Sequence, residues 1–314
     1  SLGATTAMYA APATLSEMNF VAPAPVSKVV NKTIRVGENH AASIRCLSSK
    51  SNLAGMNPTD YPEMARVAEG TTVRIPQDKL KEMISRVVFA IATEDNRQIL
   101  TGCLLEVEPT EARLVALDGF RLAIQKAVMP FELPGGKENV RVVIPGRVLN
   151  EMSKVLGDTD EYCTLVFDQS RMTASFGTTT LSTVLLTGEY IDYRKILPAS
   201  FRTTALADRV GVQNAIDRAS LMAREGKNNL IRMSFSGDTL AISSNAELGD
   251  VLEELETELT GDPIEIAFNA KYITDVIRNI TDEKLCMRFN SNVSPCVICL
   301  LYTSPSPRDT ERSR

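Results

Sequence analysis

The chain has 314 residues, 44% of them hydrophobic and 23% charged, with a net charge of −5 at pH 7. Such a globular composition is enough for two or three domains and several cores without disulfide or metal staples. The acidic balance excludes a uniformly basic nucleic-acid coat, although not a local basic channel, and no run of 18 apolar residues is present to span a membrane.

In chain order, residues 1–25 are rich in Ala, Pro, Ser and Thr and lack the basic-then-apolar order of a signal peptide. The start reads as a chain entered in mid-protein, and residues 1–18 are expected to pack poorly. Val21-Ala22-Pro23-Ala24, followed by Val26, Val29 and Val30, is a weak strand-then-helix pattern. Leu80, Met83, Ile84, Val87, Val88 and Ile91 predict one long apolar helix face. Leu104–Glu108 reads as a strand, and Arg113–Leu117 and Arg121–Val128 as a hairpin across Asp118-Gly119-Phe120. Val143-Ile144-Pro145 ends a strand before a helix whose apolar face is Val148, Leu149, Met152, Val155 and Leu156. Val212, Ala215, Ile216, Ala219 and Ala223 mark another helix, followed by strands at Arg232–Ser236, Thr239–Ser244 and Val251–Leu255. Ile266–Asn269 then leads into Tyr272, Ile273, Val276, Ile277 and Ile280, and Leu285–Phe289 is a further strand.

These elements repeat. Aligning Pro23, Pro145 and Asn269 gives periods of 122 and 124 residues, too long for a solenoid, so each copy is a domain. Thr59-Asp60-Tyr61-Pro62 and Ile191-Asp192-Tyr193-Arg194 each close a unit. Helices against antiparallel strands in each copy predict an α+β fold.

The chemistry-bearing residues are few. His40 is the sole histidine and sits in a polar turn, which removes most nucleophilic triads and any His-rich zinc site. Of six cysteines only Cys296 and Cys299 have ligand-like spacing, and Val297-Ile298 between them reads as a buried strand. Reduced thiols of a cytosolic protein, with no metal or cofactor, are expected. Residues 246–263 hold seven acids and no base, and are expected on an outer surface. From Cys299 the chain breaks into Pro, Ser and Arg and resembles translated sequencing-adapter DNA, so residues 299–314 are expected to be an artefactual tail rather than a native basic one.

Asn96-Arg97-Gln98-Ile99-Leu100-Thr101-Gly102, Leu114-Val115-Ala116-Leu117-Asp118-Gly119-Phe120-Arg121-Leu122-Ala123, Val143-Ile144-Pro145 and Asp192-Tyr193-Arg194-Lys195-Ile196-Leu197-Pro198 stand in an order that resembles the bacterial DNA polymerase III β-subunit family, the sliding clamps. The resemblance runs from about Phe20 to Ile298. It implies repeated clamp domains, each with two helices on a concave face packed on antiparallel sheets. The divisions are 1–66 (a partial first domain), 67–196, and 197–298 (an incomplete third). It also implies a cytoplasmic, nucleoid-associated, non-catalytic processivity factor encircling duplex DNA as a head-to-tail homodimer. The implied partners are double-stranded DNA, the polymerase III catalytic subunit, the clamp loader, repair polymerases and mismatch-repair proteins.

A clamp needs positive charge only on its inner helices, and the DNA-facing candidates on predicted helices or helix-end loops are Lys28, Arg97, Gln98, Arg147, Lys154, Arg224, Lys227, Lys271 and Arg278. Residues matching a partner-peptide groove are Leu100, Leu117, Gly119, Phe120, Arg121, Leu122, Ile191, Lys195, Ile196, Asn269, Tyr272, Val293 and Pro295. The sequence departs from the family pattern at both ends and at Ser51, usually a bulky apolar edge-strand position, so this chain is not expected to close a ring alone. The rival readings are a carboxylate-based hydrolase, which needs two convergent carboxylates in a pocket, and a peptide-binding scaffold without DNA, which needs no basic helical face.

Overall fold

The computed structural model describes residues 7–9, 19–20, 32–37, 40–60, 66–67, 69–93, 95–133, 139–225, 229–247 and 249–299. The first strands are β1 (Ala7–Tyr9), β2 (Asn19–Phe20), β3 (Lys32–Val36), β4 (Ala42–Cys46) and β5 (Ser49–Leu53). There follow β6 (Thr71–Pro76), α1 (Gln77–Ser85), β7 (Gly102–Glu108), β8 (Glu111–Leu117), β9 (Leu122–Val128), β10 (Val140–Pro145), α2 (Gly146–Val155), β11 (Tyr162–Phe167), β12 (Arg171–Phe176) and β13 (Thr179–Val184). The last set is β14 (Thr203–Asp208), α3 (Arg209–Glu225), β15 (Leu230–Ser236), β16 (Thr239–Ala246), β17 (Gly249–Gly261), β18 (Ile264–Asn269), α4 (Ala270–Arg278), β19 (Lys284–Phe289) and β20 (Val297–Cys299). From β6 and again from β14, the order is strand, helix, four strands, helix, then further strands. The repeat that apolar spacing predicts is therefore a repeat of element order.

The described chain forms two compact units. One comprises Ser1–Gln77 with Thr159–Leu185, the other Asp78–Asp158 with Leu186–Arg314. The first unit holds two antiparallel sheets, ordered β2-β3-β4-β5 and β1-β13-β12-β11-β6. In β6, Val73 and Ile75 are buried while Arg74 between them is exposed, the period-two pattern of a half-buried strand. Strand β5 is an edge strand, exposed along its whole length, with Ser51 at its centre.

The second unit holds a four-stranded antiparallel sheet, β10-β7-β8-β9, and a seven-stranded one, β18-β15-β16-β17-β14-β19-β20. Helices α3 and α4 cover the larger sheet. Val212, Ala215, Ile216, Ala219 and Ala223 of α3 are all buried, with Ile273 and Ile277 of α4 and Phe235 and Phe289 of the sheet in the same core. Each large apolar side chain buried there contributes roughly 1.5–3 kcal/mol. Asn269 caps α4, its side chain accepting from the Lys271 N–H at 3.0 Å. Strand β17 is 13 residues long and serves two partners: Gly249–Glu256 pair with β16, and Thr257–Gly261 with β14. One strand thus fuses what are two separate sheets in the preceding copy.

Three expectations need correction. The helix predicted across Leu80–Ile91 ends at Ser85, and Val88–Ala90 is a separate 3-10 turn. The β-branched pair Val87-Val88 disfavours the helix, and Val87 donates to the Ile84 carbonyl at 3.1 Å, an i−3 bond that tightens the chain out of α geometry. Leu80, Met83, Ile84 and Val87 are buried all the same. Within 1–18, expected to pack poorly, Ala7–Tyr9 pairs antiparallel with β13 and extends its sheet by one strand. The acidic 246–263 stretch is not turned wholly outward: Glu253 on β17 receives two bonds from Arg218 of α3, at 2.7 and 2.6 Å. The helix pattern at Val21–Val30 and the tail beyond Cys299 lie outside the described residues.

Candidate functional site

The β8–β9 turn is built by one carboxylate. Asp118 Oδ1 accepts from the backbone N–H of Phe120 at 2.9 Å and of Arg121 at 3.0 Å, while Gly119 adopts φ +94°, where a side chain would be strained. This pushes Phe120 outward, leaving it 79% exposed. Its ring stacks on Tyr272 of α4, with centroids 5.4 Å apart and planes 28° from parallel.

Arg121 fastens the same pair from behind. Its Nε donates to Asp118 at 2.8 Å and its Nη1 to Asp275 at 2.6 Å, and its guanidinium carbon lies 4.8 Å from the Tyr272 ring centre and 5.6 Å from that of Phe89. Burial alone would lower the Arg121 pKa, but its bonds to Asp275 and Asp118 outweigh it, so the charged form is favoured. Asp275 lies three residues beyond Tyr272, on the same face of α4. Sequence reasoning missed Asp118 and Asp275 as site residues; Asp-Gly turn chemistry and the i, i+3 spacing are the signals that could have found them.

A small core underlies the turn. Leu100, Leu104, Val115, Leu117, Val143, Tyr190 and Tyr193 are buried together, with Ile191 and Leu122 half-buried against them. Of the expected groove residues, Leu100 and Leu117 are therefore core rather than exposed wall. Phe120, Arg121 and Tyr272 converge directly. Ile191 and Leu122 share the core beneath, Lys195 is exposed at the end of the 3-10 turn Tyr193–Lys195 and Ile196 just after it, and Asn269 is the α4 cap. Val293 and Pro295 are exposed on the turn preceding β20.

The expected basic positions lie on helices and turns. Arg147 and Lys154 are exposed two turns apart on α2 and line an open depression of about 570 Å³ floored by Val88, Phe89, Ile91 and Ala92. Lys154 pairs with Glu151 at 2.8 Å. Lys271 and Arg278 have the same spacing on α4, and Arg278 meets Asp217 of α3 at 3.1 Å. Arg224 is exposed near the end of α3, and Arg97 and Gln98 are exposed before β7, where Arg97 leaves helical geometry. Lys28 and Lys227 lie outside the described residues. Burial raises the thiols of Cys163 and Cys296 to about 12, so neither is an activated nucleophile. Among the described residues no three His, Cys, Asp or Glu side chains group as a metal site, and no helix is long and apolar enough to cross a membrane.

The model of the DNA polymerase III β-subunit central domain matches residues 74–192, and that of its C-terminal domain residues 194–304. The chain belongs to the DNA polymerase III β-subunit family, the β sliding clamps. It is 32% identical over 268 residues to the β sliding clamp of Bacillus subtilis, covering 84% of this chain and 70% of that one. Against the β sliding clamp of Staphylococcus aureus it is 30% identical over 277 residues, with 87% and 72% covered. The B. subtilis sliding-clamp crystal structure superposes with a TM-score of 0.79 at 31% identity, over 89% of this chain and 73% of that one. The β-subunit structure from Thermotoga maritima gives 0.78 at 26% identity, over 87% and 73%. The α+β clamp fold is therefore that of the chain, and members of this family are processivity subunits rather than catalysts.

Proposed function

We propose that this DNA sliding clamp recruits its partners through the surface centred on Phe120 and Tyr272, and rides duplex DNA on the basic residues of α2, α3 and α4. The observation that carries the first half is an exposed Phe120 ring stacked on a half-buried Tyr272, with an apolar floor and a polar rim. An aliphatic or aromatic side chain of a linear peptide can pack against the rings that Arg121 fixes from behind, while Asn269 stands on the polar rim. The partners of this reading are the polymerase III catalytic subunit, the clamp loader, repair polymerases and mismatch-repair proteins, each tethered so that rebinding becomes intramolecular.

The second half rests on Arg147, Lys154, Arg224, Lys271 and Arg278, exposed on three helices of an otherwise acidic chain. A few phosphate contacts suffice where sliding is the task, and base contacts would hinder it. The domain divisions in this reading are 67–196 and 197–298, supported by the matched family models and by the repeated element order. Head-to-tail pairing of full-length members and a nucleoid location belong to the same proposal. The test is fluorescence polarisation with a labelled hexapeptide bearing aliphatic and aromatic anchors, alongside DNA association measured against salt. Binding of neither would remove the reading.

A further inference from the structure

A buried carboxylate lies outside both surfaces just described. Glu106 of β7 is only 3% exposed. It stands in a row across the four-stranded sheet, opposite Arg141 of β10 on one side and Arg113 of β8 on the other. Arg141 Nε lies 3.1 Å and Arg113 Nη1 3.8 Å from its oxygens. Its other two partners come from one short turn: Tyr193 Oη donates to Oε2 at 2.5 Å, and Arg194 Nη2 to the same oxygen at 3.0 Å. Burial, and then the bond to Glu106, raise the Tyr193 phenol above its ordinary value, so the tyrosine keeps its proton and is the donor.

We propose that Glu106 is a positioning residue for the peptide surface, holding the Ile191–Ile196 turn through Tyr193 and Arg194. The proposal rests on the peptide-binding reading above and deepens it. The turn has little of its own to fix it: Lys195 N–H donates to the Asp192 carbonyl at 3.2 Å and Ile196 N–H to that of Tyr193 at 3.0 Å. Its place depends on what its side chains grip. Tyr190 supplies one anchor, its hydroxyl donating to the Val115 carbonyl at 3.3 Å, and Glu106 supplies the other. Between and just beyond these anchors stand Ile191, Lys195 and Ile196, three residues assigned to the groove. A buried carboxylate is costly unless charge and hydrogen bonds compensate it. Here the compensation is recruited from the turn that must be held, so loss of the carboxylate's charge releases the turn and leaves the arginines competing for Glu108, which lies 3.7 Å from Arg194 and 3.0 Å from Arg113.

The competing account is that the Tyr193 ring, buried in the small core, holds the turn without Glu106. Two variants of the full chain separate them. Glu106→Gln keeps the shape and an acceptor but removes the charge, and Tyr193→Phe keeps the ring but removes the hydroxyl. Fluorescence polarisation with the labelled hexapeptide is expected to show at least a fivefold loss of affinity in each, and amide hydrogen exchange is expected to accelerate at 191–196 while α4 and β17 stay as in the parent. Combined with Ile196→Ala, Glu106→Gln should add little further loss, because both act through the same turn. Unchanged affinity and unchanged exchange at 191–196 in both variants would overturn the proposal, as would full additivity with Ile196→Ala. If Glu106→Gln fails to fold, Tyr193→Phe carries the test. If the parent chain itself binds no peptide, the groove reading falls, and exchange at 191–196 alone then decides whether Glu106 holds the turn.

Discussion

Phe120 and Tyr272 come from distant parts of the sequence and meet as a stacked pair, ring centres 5.4 Å apart, with Phe120 79% exposed. An exposed ring contributes little to folding, so truncating it separates binding from stability. Phe120→Ala is expected to weaken hexapeptide binding by about 1–3 kcal/mol, roughly 5- to 150-fold in Kd, with thermal stability nearly unchanged. Polarisation titration with a melting curve on the same sample checks both.

Arg121 behaves differently because its loss strands two carboxylates. Arg121→Ala leaves Asp118 and Asp275 facing one another's side of the turn without their shared cation, at a cost of about 2–4 kcal/mol in stability. Arg121→Lys restores the charge but not the two-directional fork, and should recover only part of that loss. Urea unfolding of the three proteins gives the ordering.

Gly146 opens α2 where the chain passes Ile91 and Thr101. A Cβ there would lie 2.5 Å from Ile91 Cδ1 and 2.9 Å from the Thr101 carbonyl oxygen. Gly146→Ala should therefore destabilise by about 1–3 kcal/mol through overpacking, although alanine is the better helix former by about 1 kcal/mol. A raised melting temperature would show that the backbone yields there at no cost.

The Arg218–Glu253 pair predicts a pH dependence. The hydrogen bonds from Arg218 hold the Glu253 carboxyl below its ordinary value. A depressed folded-state value means the stabilisation is fully present above the unfolded-state carboxylate range, near pH 4, and is lost as pH falls through the folded value. Glu253→Gln should lie below the parent in stability at pH 7 and converge with it toward pH 3. The pair is partly exposed to solvent, so the difference should also shrink in high salt.

Arg147 and Lys154 share one face of α2. The double variant Arg147→Glu, Lys154→Glu should weaken DNA association and lower the slope of log K against log salt by about 0.9 for each phosphate that is no longer neutralised. Hexapeptide binding should stay at the parent value. A salt slope equal to the parent's would remove these two side chains from the DNA surface.

Local order was legible where the apolar spacing was long and regular. The faces of α3 and α4, that of α2 except for the exposed Val155, and the β8–β9 hairpin could be read directly, because a buried face imposes its period on the sequence. The break after Ser85 was not, since the buried positions Leu80 to Val87 continue the helical spacing up to the point where the chain tightens. The partners of Arg121 and Glu106 were harder still. Asp275 is brought to Arg121 by the packing of α4, and Glu106 reads as one of two acidic positions in a largely apolar strand. Its arginines arrive from three separate segments, and sequence spacing carries no record of such meetings.

Strand β17 has a mechanical consequence. Because it is laddered to β16 along one stretch and to β14 along the next, tension along its axis passes in turn through two sets of hydrogen bonds. The strand acts as a tie between the halves of its sheet, and shearing them apart must break one of its two ladders. In the preceding copy β9 spans only seven residues and pairs with β8 alone, so among the described residues no such tie exists there. Under load from a tethered polymerase, the shorter ladder, between Thr257–Gly261 and β14, would set the strength of the seven-stranded sheet.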